Sequence, residues 1–287
     1  MIVTKPQQGE YDRPIEIGKG VYWIGFHDVH SGLHCNPYLI VDYDEAVVID
    51  GGSRPDFPTV MMKILQTGIA PQQIAALIYQ HYDPDLCGSI PNFEDIIDRK
   101  DLIIVSDELS TDFIRHYAVS CRISNLEDMN DRHEFSSGRT LRFFKTPHAH
   151  SAGSFVTLDS ETQILFTSDL FGSYGKHWDL FLRLPPECKA CMDYSSCQRG
   201  ETHCPIKDIL RFHQQLMPSE RALKYALERI LEIPFTMLAP QHGSIVDDRV
   251  IAKFLFNLLI SLDEVGIDGI IPKGYGFNFD KLEERFG

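Results

Sequence analysis

Short apolar runs rich in β-branched residues, each closed by a polar loop, fill the first half of the chain. Residues 21–26 (VYWIGF), 36–43 (NPYLIVDY) and 45–52 (EAVVIDGG) read as successive strands, the last ending in a Gly-Gly turn. From Asp56 to Gly68 the period changes: Val60, Ile64 and Leu65 fall at helical spacing, and a glycine stops the segment. A buried strand over 74–80 (IAALIYQ) runs straight into HYDPD, and 102–106 (LIIVS) is another short apolar strand. STDFIRHYAVS then opens a helix with a Ser/Thr cap. From Thr140 the order starts again, with strands LRFFKT, SFVTLD and QILFTSD, a long polar insertion, helices, and a last strand over 235–240 (FTMLAP). Two β-rich halves between helices predict an α/β protein of αββα layering. With no low-complexity segment and no Pro/Gly-rich linker, a single domain over 1–287 is expected, with a four-cysteine insertion at about 185–205.

Composition narrows the picture. The chain has 287 residues, 43% of them hydrophobic and 24% charged, as a globular protein does, and a formal net charge of −14. That acidic balance argues against nucleic acid or an anionic membrane as partner. The start, MIVTKPQQGEYDRP, has no apolar core of a secretory signal, and no run of about 18 apolar residues could span a bilayer. A cytoplasmic location is the expectation. Of seven cysteines, Cys35, Cys87 and Cys121 are scattered, whereas four crowd between Cys188 and Cys204. Without a signal peptide, such a quartet reads as a metal or iron–sulfur site before it reads as disulfides.

Polar loops sit at the strand ends: HDVHSGLHCN, QHYDPDLCGS, TPHAHSAGS, TSDLFGS and PQHGS. Side chains can converge there without disturbing the core. The last four carry histidine or carboxylate followed by Gly or Ser, and imidazole with carboxylate suits Zn²⁺, Fe or Mn. Singly, each residue has a plain alternative. A histidine at a strand end is usually a surface residue, Asp85 could cap a helix starting near Leu86, and Asp169 could be a turn residue. Their recurrence, in order, after buried strands points to metal binding.

These residues carry a resemblance. His81-x-Asp83-x-Asp85 resembles the H-x-H/E-x-D-H signature of the metallo-β-lactamase superfamily in its carboxylate-bearing variant. Thr146-Pro147, His150, Gly153-Ser154, then Leu165-Phe166-Thr167-Ser168-Asp169 with Phe171-Gly172, then Ala239-Pro240-Gln241-His242-Gly243 follow in that superfamily's order. Over roughly residues 20–260 the chain resembles flavodiiron proteins. The resemblance implies a metallo-β-lactamase αββα sandwich with two irons: His81, Asp83 and His150 on one, Asp85 and His242 on the other, Asp169 bridging. A carboxylate at Asp83, where hydrolases carry histidine, favours iron over zinc. The sequence departs from the family twice. Leu86 stands where a second histidine is usual, implying an open position suited to O2, NO or water. The flavodoxin-like FMN module of flavodiiron proteins also finds no room before Gly287, so no FMN is expected, and the chain resembles the oxygen-binding diiron proteins of that family.

Cys188-x2-Cys191-x5-Cys197-x6-Cys204, with Pro205 next, starts and ends like a ferredoxin-type motif, although its central spacings differ. A 4Fe-4S cluster is the expectation and a structural zinc the alternative. A diiron oxidase needs an electron source, and this loop begins nineteen residues after Asp169. His30 or His34 could line the pocket, His148 could hold a ligand, and Tyr82 and Tyr174 could donate protons; each also reads as a plain loop residue. His116, His133, His203 and His213 read as solvated or helix-surface histidines. The expected function is a diiron redox protein that binds and reduces O2 or NO, its electron donor unknown, with a head-to-tail homodimer implied by the family. A dizinc hydrolase and a non-catalytic O2 or redox sensor are the rival readings.

Overall fold

Burial along the strands shows two sheets facing each other. The computed structural model describes residues 11–286 except 29, 118, 192–196, 198–201, 272–273 and 277. Among them, seven strands form one sheet in sequential order: β1 (Ile15–Gly18), β2 (Val21–Trp23), β3 (Tyr38–Asp42), β4 (Glu45–Ile49), β5 (Ile74–Ile78), β6 (Ile103–Ser106) and β7 (Arg122–Asn125). Pairing is antiparallel up to β4 and parallel from β4 to β7. The second sheet contains β8 (Arg132–Glu134), β9 (Thr140–Lys145), β10 (Phe155–Asp159), β11 (Ile164–Phe166) and β12 (Met237–Ala239), in the order β12-β11-β10-β9-β8. Only β11 and β12 run parallel there, joined by a long crossover that carries the cysteine segment and two helices.

The inner faces meet in one apolar cluster, with Val21, Tyr38, Val47 and Ile78 from the first sheet against Phe143, Phe155 and Phe166 from the second. Outside the first sheet lie α1 (Phe57–Gln66), the single turn α2 (Pro84–Cys87), α3 (Ile90–Ile97) and α4 (Glu108–Ile114). Outside the second lie α5 (Pro205–Leu216), α6 (Glu220–Leu231) and α7 (Arg249–Ile260), with α8 (Phe279–Phe286) following them in sequence. This is the expected αββα layering, and the fold is that of the metallo-β-lactamases. No described helix is long and apolar enough to cross a membrane.

Two local readings change. The helix expected to open at Ser110 opens earlier, because Asp107 caps it by accepting from the Leu109 N–H at 3.0 Å. His133 and His213, expected in solvent, are buried. At the far end of the sandwich, Arg139 is buried against Asp159 in a two-pronged ion pair, Nε–Oδ1 2.8 Å and Nη2–Oδ2 2.6 Å.

Candidate metal centre

The ligand-type side chains gather where several loops leave the strand ends. After β5 the chain stays extended through Asp83, and Pro84 then starts α2 with its preset φ. The Leu86 and Cys87 N–H groups donate back to the Asp83 carbonyl (3.1 and 2.9 Å), so His81, Asp83 and Asp85 reach the centre while Leu86 sinks into the core. His150 sits on the turn between β9 and β10, shaped by His148 N–H to Ser151 O (2.9 Å) and Ser154 N–H to Ser151 O (3.1 Å). Gly153 lets that turn pack directly on α4, since a Cβ there would stand 2.5 Å from Ser110 Oγ. Asp169 follows Ser168, a non-glycine residue at φ +52°, and precedes Phe171 at φ +66°. His242 follows β12.

Gln80 draws the halves together. Its side-chain amide donates to the carbonyls of Phe155 (3.2 Å) and Phe166 (2.9 Å), and its oxygen accepts from the Ser168 N–H (3.2 Å). Its own N–H donates to Asp50 Oδ1 at 3.0 Å.

Two groups of donors result. A nitrogen of His81, a nitrogen of His150 and an oxygen of Asp169 all lie within 4.8 Å of one another. His150 Nε2 is 3.1 Å from Asp83 Oδ2 and 3.2 Å from Asp169 Oδ2, and His81 Nε2 is 3.8 and 3.9 Å from the same two oxygens. On the other side, His242 Nε2 is 3.0 Å from Asp85 Oδ2 and 3.8 Å from Asp169 Oδ1. Asp169 thus presents one oxygen to each group. Its Oδ1 is buried without a hydrogen-bond partner among the described residues, an expensive state for a carboxylate. Asp83 and His150 keep 31% and 19% of their side chains exposed against 2% for Asp169, which makes them the solvent side of the first group.

The tautomers follow from the outer contacts. His242 Nδ1 faces the His34 carbonyl at 3.2 Å, an acceptor only, so Nδ1 carries the proton and a neutral ring turns a lone pair toward the carboxylates. His81 Nδ1 is 3.0 Å from Ser168 Oγ, and donation to that hydroxyl leaves Nε2 in the same state. Lone-pair nitrogens of His81 and His242 facing these carboxylates are repulsive unless positive charge lies between them. The titration directions register this: burial opposes the His242 cation, yet Asp85 pushes the ring well above its ordinary value. His150 also rises, because Asp83 and Asp169 outweigh burial, whereas burial wins at His81 and lowers it. Burial works against the Asp85 carboxylate too, but His242 holds it down at about 2. Dications at both groups would remove this conflict.

The remaining candidates lie around the centre. The ring of His34 is fully buried, stacked on Trp178 at 4.7 Å and bonded to the Gly175 carbonyl at 2.8 Å; burial pushes it down to about 4. Its carbonyl, rather than its ring, serves the site. His30 is exposed on a turn held by Asp28, and His148 is exposed at φ +61°. Tyr82 stacks on Phe113 (4.4 Å), and the Tyr174 hydroxyl bonds Gln215. Two residues escaped the sequence reading. Cys35 joins Asp85 and His242, a sulfur, an oxygen and a nitrogen within 4.8 Å. His213 accepts the Phe171 N–H on Nε2 (3.0 Å) while its Nδ1 meets the Ile209 carbonyl (2.7 Å), clamping the turn beyond Asp169. For Cys35 the one available signal was the polar HDVHSGLHCN loop; for His213 there was none.

Cys188 and Cys204 pack against the helical core of the second sheet, and Cys191 and Cys197 are half-buried. Among the described residues no disulfide joins them and no three of their sulfurs lie within 4.8 Å of one another. Much of the insertion between them, 192–196 and 198–201, lies outside the described residues.

Comparison with known proteins agrees with this architecture. The family described as ODP family beta lactamase matches residues 33–243. A solved structure of the peroxy diiron species of a chemotaxis sensor, ODP, superposes with TM-score 0.69 and 24% identity, covering 90% of this chain and 97% of that one. The apo state of the chemotaxis sensor ODP from T. denticola gives 0.66 and 23%, covering 90% and 96%. Among curated relatives, type A flavoprotein fprA of Rhodobacter capsulatus is 23% identical over 251 residues, 81% of this chain and 52% of that protein. The chain spans 25–56% of the length of the first curated relatives it matches.

Proposed function

The chain belongs to the ODP family of beta lactamases, and from that premise we propose that it is a diiron redox protein that binds, and in turnover reduces, O2 or NO. The observation that carries the reading is the straddling carboxylate: Asp169 faces His150 with Oδ2 at 3.2 Å and His242, at 3.8 Å, with an Oδ1 that has no hydrogen-bond partner among the described residues. In this reading His81, His150 and Asp83 hold one iron, Asp85 and His242 hold the other, and Asp169 bridges. The donors fit iron, being imidazole nitrogens and carboxylate oxygens aimed at a shared space, with three carboxylates to offset two dications. When bound, the two irons would supply the electrons for reduction of a diatomic ligand.

The protein's part is to orient and hold. Ser168 and the His34 carbonyl fix His81 and His242 as Nδ1–H tautomers. His213 and Gln80 fix the turn that carries Asp169. The partly exposed Asp83 and His150 form the side open to a small molecule.

For the cysteine segment the proposal is an electron relay, a 4Fe-4S cluster with structural zinc as its alternative, supported by its position close after Asp169. Likeness to a chemotaxis sensor over 90% of this chain favours a second reading, gas sensing without sustained turnover. Metal and acid-labile sulfide analysis of anaerobically purified protein tests the main reading. About two irons without sulfide gives the diiron pair alone, about six irons with four sulfides adds the cluster, and two zincs would replace the reading with a hydrolase.

A further inference from the structure

The centre contains a donor that the metallo-β-lactamase signature does not supply. Leu86, where that signature ends in histidine, is fully buried in the apolar layer beneath α1 and α3 and offers no ligand. On the same side of the centre, Cys35 brings its sulfur within 4.8 Å of an Asp85 oxygen and a His242 nitrogen. We propose that Cys35 is a thiolate ligand of the second metal, which makes that half a sulfur–nitrogen–oxygen site.

Backbone pairing fixes this placement. Cys35 and His242 form an antiparallel bridge, and the Asn36 N–H donates to the Gln241 carbonyl at 2.8 Å. Residues opposite each other in such a bridge send their side chains to the same face. Cys87 is the contrast: its thiol is embedded in the apolar layer and donates to the His81 carbonyl at 3.5 Å, the setting of an inert core cysteine. Cys35 is as buried, at 3%, but its sulfur looks toward a carboxylate and an imidazole. Independently, the buried Asp169 Oδ1, without a hydrogen-bond partner among the described residues, points to a cation-binding position on this side, 3.8 Å from His242 Nε2. Sulfur from Cys35, nitrogen from His242 and oxygens from Asp85 and Asp169 complete four donors without the absent histidine. A thiolate on one metal alone makes the pair chemically unequal, with the softer ligand on the metal opposite His150. Metal binding here requires the thiol to release its proton, as every thiolate ligand does.

The proposal rests on the dinuclear reading above, and its test separates the two. Full-length protein with Cys188, Cys191, Cys197 and Cys204 changed to serine is stripped of metal and titrated anaerobically with cobalt(II), with and without Cys35→Ser. The expected result is two cobalt ions per chain, with a near-ultraviolet thiolate-to-cobalt charge-transfer band growing with one of them. Cys35→Ser should abolish that band and weaken that ion at least about tenfold, the loss that even outer-shell changes can cause, while the other ion binds as before. X-ray absorption on the protein retaining Cys35 should show a sulfur neighbour at about 2.3 Å, a readout that does not depend on how Cys35→Ser folds. Two cobalt ions without band or sulfur neighbour, or a band that survives Cys35→Ser, would overturn the proposal and leave the dinuclear reading standing. Fewer than two cobalt ions per chain would overturn both.

Discussion

His213 offers a test in which pH and mutation must interact. The ring is wholly buried, accepts the Phe171 N–H on Nε2 and donates from Nδ1 to the Ile209 carbonyl, so only the neutral form fits. Burial pushes it down to about 4 from an ordinary 6.5. Because the folded value is depressed, the unfolded chain binds the extra proton first. The stabilising contribution is therefore complete above pH 6.5 and is lost as pH falls toward 4. At pH 5 the unfolded ring is almost fully protonated and the folded ring only slightly, which costs about 2 kcal/mol. His213→Phe removes the titration and strands the Phe171 N–H, a loss of about 1–3 kcal/mol at any pH. The variant should thus be less stable than the parent by about 2 kcal/mol at pH 8 and close to equal at pH 5. Urea unfolding of both metal-free proteins at the two pH values reads the difference directly. An equal deficit at pH 8 and pH 5 would refute the claim that the ring is held neutral.

Two further changes probe the frame of the centre. Asn36 donates to the Pro240 and Gly243 carbonyls (3.0 and 2.8 Å) and accepts from Trp23 Nε1 (2.8 Å), so Asn36→Ala should cost about 2–4 kcal/mol. Metal titration should find the site at His242 weakened and the site at His150 little changed. Arg139→Met leaves Asp159 buried without its partner and should cost about 3–5 kcal/mol in denaturant unfolding. Its metal content should be unaltered, because Asp159 lies at the end of β10 away from His150.

Local features could be read from the chain; pairings between distant segments could not. His81, Asp83 and Asp85 share one short loop, and their neighbour Pro84 sets the turn that separates them. The buried strands declared themselves because their hydrophobic runs stand out against polar loops. β7 and β8, by contrast, are edge strands with the sequences RISN and RHE, and edges carry charge instead of an apolar run. Cys35 gains its neighbours only through a bridge to His242, and His213 only because α5 packs over the turn at Phe171. Neither contact leaves a trace in local spacing. Burial of His133 follows from its place opposite Leu141 in the β8–β9 pair, where its ring meets Phe135 edge-on at 5.1 Å.

Gln80 gives the centre a mechanical character. One uncharged amide ties the end of β5 to β10, to β11 and to the residue before Asp169. These bonds need no ion, so this tie between the two sheets does not itself depend on what the centre holds. At the periphery, the loop around Gly32 is latched to Gly175 by a backbone bond of 2.8 Å and by the His34 ring.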